Sequence, residues 1–493
     1  MKDDYLIGID VGTTAVKAAL FDLDGTLHDA CHRPYPTHRP IPSHVEQSPN
    51  DWTDAVHAAL LRFADRVPSE AVRGIGLTSQ VNTHVFVDAA GTPLAPAIVW
   101  QDGRSGDAAA TLDAGIVDAD RLTWWGAPLP IDASHALARM RWMSEHEPAL
   151  WARTAHVLLP KDHCLRALTG ELVSDPLSNI GLVDRASRHV DALLERVPGA
   201  AGRLPPLADM TAVAGQVRAD LPFAGTPVAV GTMDAWAGLF GCGVTEEGRG
   251  MYLSGTSEIL GVLSSTVNPT PGVLVMPPSH GMTLHVGPTQ SGGASQLWFC
   301  RLFGTTPEEM GRLAAAHDPA DPLPLFLPHL QGERAPLWDA AARGVFLGLD
   351  ASMERSALAR SVYEGVALSA RCLLESLQLS AGMSPGALQA GGGGFRTDAW
   401  NALRADTLGV TLHRSAATDP GTLGAAGLAA VATGVHASLT DAFARLVHVD
   451  RSWEPDRSRA AWHEDRYALY RDSYAATRDI SHRLVDGARA TGN

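Results

Sequence analysis

Apolar positions in the first thirty residues are grouped in two short runs separated by tight-turn residues. Leu6, Ile7 and Ile9 precede Gly12-Thr13-Thr14, and an apolar stretch from Ala15 to Phe21 follows before Asp22-Leu23-Asp24-Gly25. The spacing predicts a β-meander, with Gly8, Asp10 and Gly12 alternating along its first strand and into the turn. Val56, Leu60, Phe63 and Val67 recur at helical spacing, with Asp51 as the expected N-cap. Near mid-chain the same logic returns. Met251-Tyr252-Leu253-Ser254 leads into Gly255-Thr256-Ser257, and Ile259 to Leu263 follow, about half the chain length after the first turn. That repetition predicts two domains of similar core topology. The glycine-rich stretch Gly241–Gly250 is the natural boundary, giving 1–245 and 246–493. Val228 to Met233 read as a buried strand ending at Asp234. Leu358, Val362, Val366, Leu373 and Leu377 mark a long helix, and another helix is expected near Asp398, beyond Gly391-Gly392-Gly393-Gly394.

Length supports this division, since 493 residues exceed what one hydrophobic core usually organises. A net charge of −15 disfavours a nucleic-acid partner, which needs a basic face. No run approaches ~20 apolar residues, so no membrane span is expected. The start, Met1-Lys2-Asp3-Asp4, has no basic leader, and its apolar run stops at Asp10, so a cytoplasmic location is expected. The five cysteines form no Cys-x-x-Cys, which argues for reduced thiols rather than a zinc knuckle or disulfide framework. Only Lys2, Lys17 and Lys161 are lysines, so Lys17 beside a glycine turn stands out.

Phosphate binding needs inward backbone N–H groups, small side chains and often hydroxyls and a cation. Gly12-Thr13-Thr14 with Lys17 supplies all of these, with Asp10 as a Mg²⁺ partner, directly or through water. Gly255-Thr256-Ser257 is a second set, and the glycine run at 391–394 is able to lie flat against a base or ribose. No Gly-x-x-x-x-Gly-Lys-Ser/Thr occurs, so no Walker-type loop is present. Arg396 occupies the last glycine position of a Gly-x-Gly-x-x-Gly spacing, which weakens a dinucleotide site. Phe21-Asp22-Leu23-Asp24-Gly25-Thr26-Leu27 looks like the nucleophile motif of haloacid-dehalogenase-type phosphatases. Thr111 stands where that family's later aspartate belongs, and a hairpin turn accounts for the same residues. Asp234 is placed for a cleft or for an N-cap. The twenty histidines form no compact ligand set.

Taken together, these residues resemble the FGGY carbohydrate kinases, of the ribonuclease-H-like, actin-type ATPase superfamily. The match includes Gly8 to Thr14, Val45-Glu46-Gln47 to Trp52, Pro96 to Arg104, Pro160-Lys161-Asp162 and Leu168 to Glu171. In the second half it includes Gly332 to Pro336, Arg343 to Leu349 continuing to Glu364, and Gly421 to Ala426. The resemblance implies an α/β fold of two ribonuclease-H-like domains of the actin/hexokinase type, with a catalytic cleft between them. It implies an ATP- and Mg²⁺-dependent kinase for a small sugar, D-xylulose as expected acceptor, with another ketose, a sugar alcohol or gluconate as alternatives. Gly332 to Asp339 also resembles gluconate kinases. Asp234 is then the general base and Asp10 the metal residue. Gly12, Thr13, Thr14, Lys17, Gly255, Thr256 and Ser257 fall to the phosphates, and Gly392, Gly393, Gly394 and Thr397 to adenine. Gln80, Val81, Asn82, Asp102 and Asp234 fall to the acceptor. The acceptor stretch departs from the Gln-Met-His of related sugar kinases, and Ala235 stands where glutamine is frequent. The resemblance is compatible with a homodimer. Outside this class stand an actin-type nucleotide-switched binding protein, and the phosphatase acting through Asp22.

Overall fold

The predicted meander is present as strands Tyr5–Val11, Ala15–Asp22 and Leu27–Pro34 in the computed structural model, which describes residues 4–126, 129–318 and 321–490, the side chains of 488–490 excepted. These strands pair antiparallel, and Tyr5–Val11 then pairs parallel with Val72–Ser79. The sheet continues through Pro227–Ala229 to Val213–Gln216. Ile7, Ile9 and Val11 bury completely against Trp52, Val56, Leu60 and Phe63 of helix Pro49–Ala64. Each such side chain contributes roughly 1.5–3 kcal/mol by leaving water. That helix starts at Pro49 after Ser48, so Asp51 lies in its first turn rather than at its N-cap. Proline, with φ already set and no N–H to lose, takes the first helical position.

The expected strand from Val228 to Met233 is broken into Pro227–Ala229 and Thr232–Met233. The physical reason is Gly231, whose φ of 71° is a left-handed conformation that no continuous strand contains. A helical layer follows the acceptor stretch, built from Gly106–Ala114, Asp118–Trp125, Ala136–His146 and Pro148–Arg153. It has its own core, including Leu112, Leu137, Met140 and Leu193.

Two compact units result, and their composition differs from the division at 245. The first comprises 1–245 together with 276–281 and 419–448; the second comprises 246–275, 282–418 and 449–493. Helix Pro420–Ala432 belongs to the first unit because it fits where backbone meets backbone. A Cβ on Gly8 would overlap the Thr422 carbonyl oxygen, one on Gly76 that of Ala425, and one on Gly424 that of Ala237.

The sheet of the second unit repeats the pattern of the first. Thr283–Pro288, Glu258–Ser264 and Gly250–Ser254 are antiparallel, and Gly250–Ser254 then pairs parallel with Ala387–Gly391 and onward to Thr411–Ser415. Helix Arg355–Ala381 buries Val362, Val366, Leu373 and Leu377, and helix Asp398–Leu408 begins where the sequence places it.

Candidate active site

Register brings the first unit's predicted residues to one edge of its sheet. Val11 and Met233 both pair with Ser79, so the turn Gly12–Thr14, the stretch from Gln80 and Asp234 all leave the C-terminal ends of neighbouring parallel strands. Ligands of open α/β sheets bind at that edge. The Gly12 N–H donates to the Ala15 carbonyl (3.1 Å) and closes the turn. Its carbonyls are taken from behind: Gly12 O by the Tyr35 hydroxyl, Thr13 O by Gln47 Nε2 at 2.6 Å, and Thr14 O by the Tyr35 N–H at 3.3 Å. Among the described residues no acceptor takes the Thr13 or Thr14 N–H, which remain as donors for an anion.

Lys17 faces more negative charge than the sequence indicated. Its Nζ lies 2.7 Å from Asp419 Oδ2 and 3.9 Å from Asp10 Oδ2. Burial opposes its charge, but Asp419 and Asp10 outweigh burial and hold it above the usual lysine range. Asp419 was not among the sequence candidates. The Asp-Pro step is a legible helix start, and its carboxylate does cap the helix through the Thr422 N–H at 3.1 Å. Its proximity to Lys17, four hundred residues away in the chain, has no sequence signal. Asp10 is buried, and burial, then repulsion from Asp419 and Asp234, pushes its carboxyl up to about 8.

Asp10 Oδ1 is a buried oxygen with no hydrogen-bond partner, which fits a cation ligand. Among the described residues no group of three His, Cys, Asp or Glu could hold a metal ion unaided. Both facts suit Mg²⁺, which typically takes one or two protein carboxylates and completes its shell with phosphate and water.

Asp234 opens helix Asp234–Gly241 and is exposed, its Oδ1 accepting the Ala235 N–H at 2.8 Å. Protein crowded around the carboxylate raises it to about 6, with the Ala235 N–H and Lys17 partly offsetting. The approach to Asp234 is fixed by a buried polar cluster. Thr232 Oγ1 donates to Asp175 Oδ2 at 2.8 Å, and Lys161 Nζ lies 2.6 Å from Asp162 and 2.9 Å from Asp175. Leaving any of these buried charges unpaired would be costly, so the cluster fixes the short strand Thr232–Met233.

The acceptor candidates divide. Val81 and Asn82 are half-buried, and Asn82 sits at φ 55° with Nδ2 donating to Ser134 Oγ at 3.2 Å. Gln80 is buried, with its amide engaged by Gln47 and Thr83. Asp102 presents no open oxygen: Oδ1 accepts from the Arg104 N–H and Nε, and Oδ2 from the Val45 N–H and Arg104 Nη2. Its geometry is that of a brace for Arg104 and the 45–47 segment, because two buried oxygens filled by four donors have no room for a hydroxyl. Trp100, absent from the sequence candidates, is 43% exposed and donates from Nε1 to Thr13 Oγ1 at 3.1 Å.

In the second unit, parallel pairing of Leu253 with Gly391 sets the Gly255-Thr256-Ser257 turn beside the glycine run. Gly255, Thr256, Gly392 and Gly393 are exposed; Ser257, Gly394 and Thr397 are half-buried. Gly392 has φ 90°, and a Cβ on Gly394 would overlap Ser254. Arg404 ties the two pieces together, donating to Gly394 O (2.9 Å), Ser254 Oγ (2.8 Å) and Glu258 Oε1 (2.6 Å) from a fully buried position. Nothing in the sequence around Arg404 marks this role.

The phosphatase motif is spent on turn geometry. Asp22 Oδ1 accepts the Asp24 and Thr26 N–H groups, and Oδ2 pairs with His28. It also sits opposite Tyr5, at the other end of the strand from Asp10.

Comparison with known proteins gives a consistent picture. Residues 5–241 match the N-terminal domain of the FGGY family of carbohydrate kinases, and residues 250–433 match its C-terminal domain. A xylulose kinase of Escherichia coli (strain K12) is 30% identical over 481 residues, covering 95% of this chain and 98% of the relative. The crystal structure of a xyloylose kinase from Brucella ovis is similar with a TM-score of 0.86 at 31% identity, covering 97% of this chain and 100% of that one. A gluconate kinase from Lactobacillus acidophilus shares the fold with a TM-score of 0.87 at 23% identity, covering 96% of this chain and 98% of its own.

Proposed function

This chain belongs to the FGGY family of carbohydrate kinases, ATP-using enzymes that act on small sugars, and from that premise we propose that it transfers the γ-phosphoryl group of ATP to a primary hydroxyl of D-xylulose. The observation that carries the reaction type is Asp234. A carboxylate at the strand edge beside a phosphate-type turn, with its pKa raised to about 6, is matched to accept a proton near neutral pH. Xylulose is the sugar in the name of the E. coli relative, and the B. ovis structure is named a xyloylose kinase, which supports a xylulose acceptor.

Phosphoryl transfer asks a protein mainly for alignment and charge neutralisation. Asp234 takes the proton of the attacking hydroxyl. In the first unit the Thr13 and Thr14 N–H groups serve phosphate oxygens, with Lys17 supplying positive charge; in the second unit the Gly255-Thr256-Ser257 turn is the phosphate-binding element. Gly392, Gly393, Gly394 and Thr397 receive the adenine. Asp10 would hold Mg²⁺, which when bound would withdraw charge from the phosphates. Val81, Asn82 and Trp100 face the acceptor, with Gln80 and Asp102 supporting them from beneath. Five unpaired cysteines suit the reducing cytoplasm, and no described helix is long and apolar enough to cross a membrane.

The test is coupled ADP release over pentuloses, hexuloses, pentitols and aldonates. D-xylulose is expected to give the highest kcat/KM. If it is inert while gluconate or a polyol turns over, the acceptor assignment fails and the kinase stands.

A further inference from the structure

We propose that Gln47 is a positioning residue that couples acceptor binding to the geometry of the phosphate turn, an inference that rests on the acceptor and phosphate assignments above. Gln47 touches no reacting group in that scheme, yet it is completely buried with every polar atom engaged. Its Nε2 donates to the Thr13 carbonyl (2.6 Å) and to Thr37 Oγ1 (2.7 Å), and its Oε1 accepts from Gln80 Nε2 (3.0 Å).

The chain of contacts closes on itself. Gln80 Oε1 accepts from Thr83 Oγ1 (3.2 Å), Thr83 Oγ1 accepts the Trp100 N–H (3.1 Å), and Trp100 Nε1 donates to Thr13 Oγ1 (3.1 Å). Thr13 is therefore held twice, by its carbonyl through Gln47 and by its hydroxyl through Trp100. Both holds originate in the segments assigned to the acceptor. All of these residues belong to the first unit.

Direction is built into the circuit. Both amide hydrogens of Gln47 are committed, and a flipped amide would set Oε1 against the Thr13 carbonyl. A buried amide in this position cannot compensate for a shift of Gln80 by turning; it must transmit the shift. A polyhydroxylated acceptor settling on Asn82 and the exposed Trp100 ring thus fixes Thr13, and with it the N–H groups offered to the phosphates. The consequence is that acceptor and nucleotide bind cooperatively, a coupling that is reciprocal.

The experiment measures the dissociation constant of adenylyl-imidodiphosphate with Mg²⁺, with and without saturating D-xylulose, or the panel member that turns over in its place. The parent is expected to bind the analogue about fivefold or more tightly with acceptor present. Gln47→Met and Trp100→Phe each open one arm of the circuit and are expected to lower that ratio at least twofold. The double variant is expected to bring it to about one and to lower kcat more than either KM. A folded double variant that keeps the parent ratio overturns the proposal. Should Gln47→Met fail to fold, Trp100→Phe, at an exposed position, decides alone: an unchanged ratio overturns the coupling. A parent that phosphorylates its acceptor but shows a ratio of one sinks the coupling and leaves the kinase assignment intact. A parent that phosphorylates nothing in the panel removes both.

Discussion

Asp234 is asked to be charged for chemistry at a place where its surroundings disfavour charge. Its carboxyl is raised to about 6 from an ordinary value of 3.8, so the folded state binds the proton more tightly than the unfolded chain does. The resulting stability cost is absent below the unfolded pKa, grows as pH rises, and is fully present above about 6. Asp234→Asn removes that cost. The variant is expected to melt no earlier than the parent at pH 7.5, while turnover falls on the order of 10²–10⁴-fold. A variant that keeps its activity would overturn the base assignment. In the parent, kcat/KM for the acceptor is expected to fall about tenfold per pH unit below pH ~6 as the base becomes protonated. A flat profile from pH 5 to 7 would count against Asp234. Of the residues here, Asp234, Thr13 and Lys17 stand out as candidates in the sequence because turn chemistry and strand ends leave local marks. Asp419 was not, since nothing within several residues of it records that Lys17 is its neighbour. Asp102, which the resemblance assigns to the acceptor, has both oxygens filled by Arg104 and Val45, an occupancy that no local pattern records.

Elements show the same division. The meander, the second hairpin and the long helix Arg355–Ala381 follow from hydrophobic period, which reports burial directly. The docking of helix Pro420–Ala432 depends on missing side chains, a weaker mark. Gly76→Ala would drive a Cβ into the backbone carbonyl of Ala425, which cannot swing aside as a side chain can. The expected cost is about 3 kcal/mol, at the upper end of overpacking, read from the urea midpoint. Asp419→Ala, which removes the cap of the same helix and the partner of the partly exposed Lys17, is expected to cost only about 1–2 kcal/mol. If the two variants are equally mild, the close approach of the helix is not as described. In the second unit, Arg404→Met leaves Glu258 buried without its ion-pair partner and cuts the link from the 254–258 turn to the glycine run. KM for ATP is expected to rise about tenfold with KM for the acceptor unchanged. Equal changes in both would mean that Arg404 supports the whole unit rather than the nucleotide elements.

At the scale of the molecule, chain order and spatial order part company. The first unit is interrupted: its sheet is made by residue 245, but helices Pro420–Ala432 and Leu439–Leu446 arrive only after most of the second unit. A fragment ending at Thr245 is expected to aggregate or lack a cooperative transition, because the sheet face under Gly8 and Gly76 stays open. The same fragment joined by a flexible linker to 419–448 is expected to unfold cooperatively in calorimetry. A fragment that folds without 419–448 would show that this helix is an accessory to the unit.

What the sequence by itself determined is the kind of chain this is: two α/β units with repeated hairpins, whose glycine-hydroxyl turns and strand-end acid are the candidates for its chemistry. Those features depend on residues close together in the chain, where periodicity, glycine placement and turn chemistry act. Only the tertiary structure decided that Asp419 balances Lys17, that Asp102 is filled, that Gln47 joins Gln80 to Thr13, and that residues 419–448 complete the first unit. Each of these is a relation of distance and direction across the fold, and burial sets its strength; a linear pattern records neither.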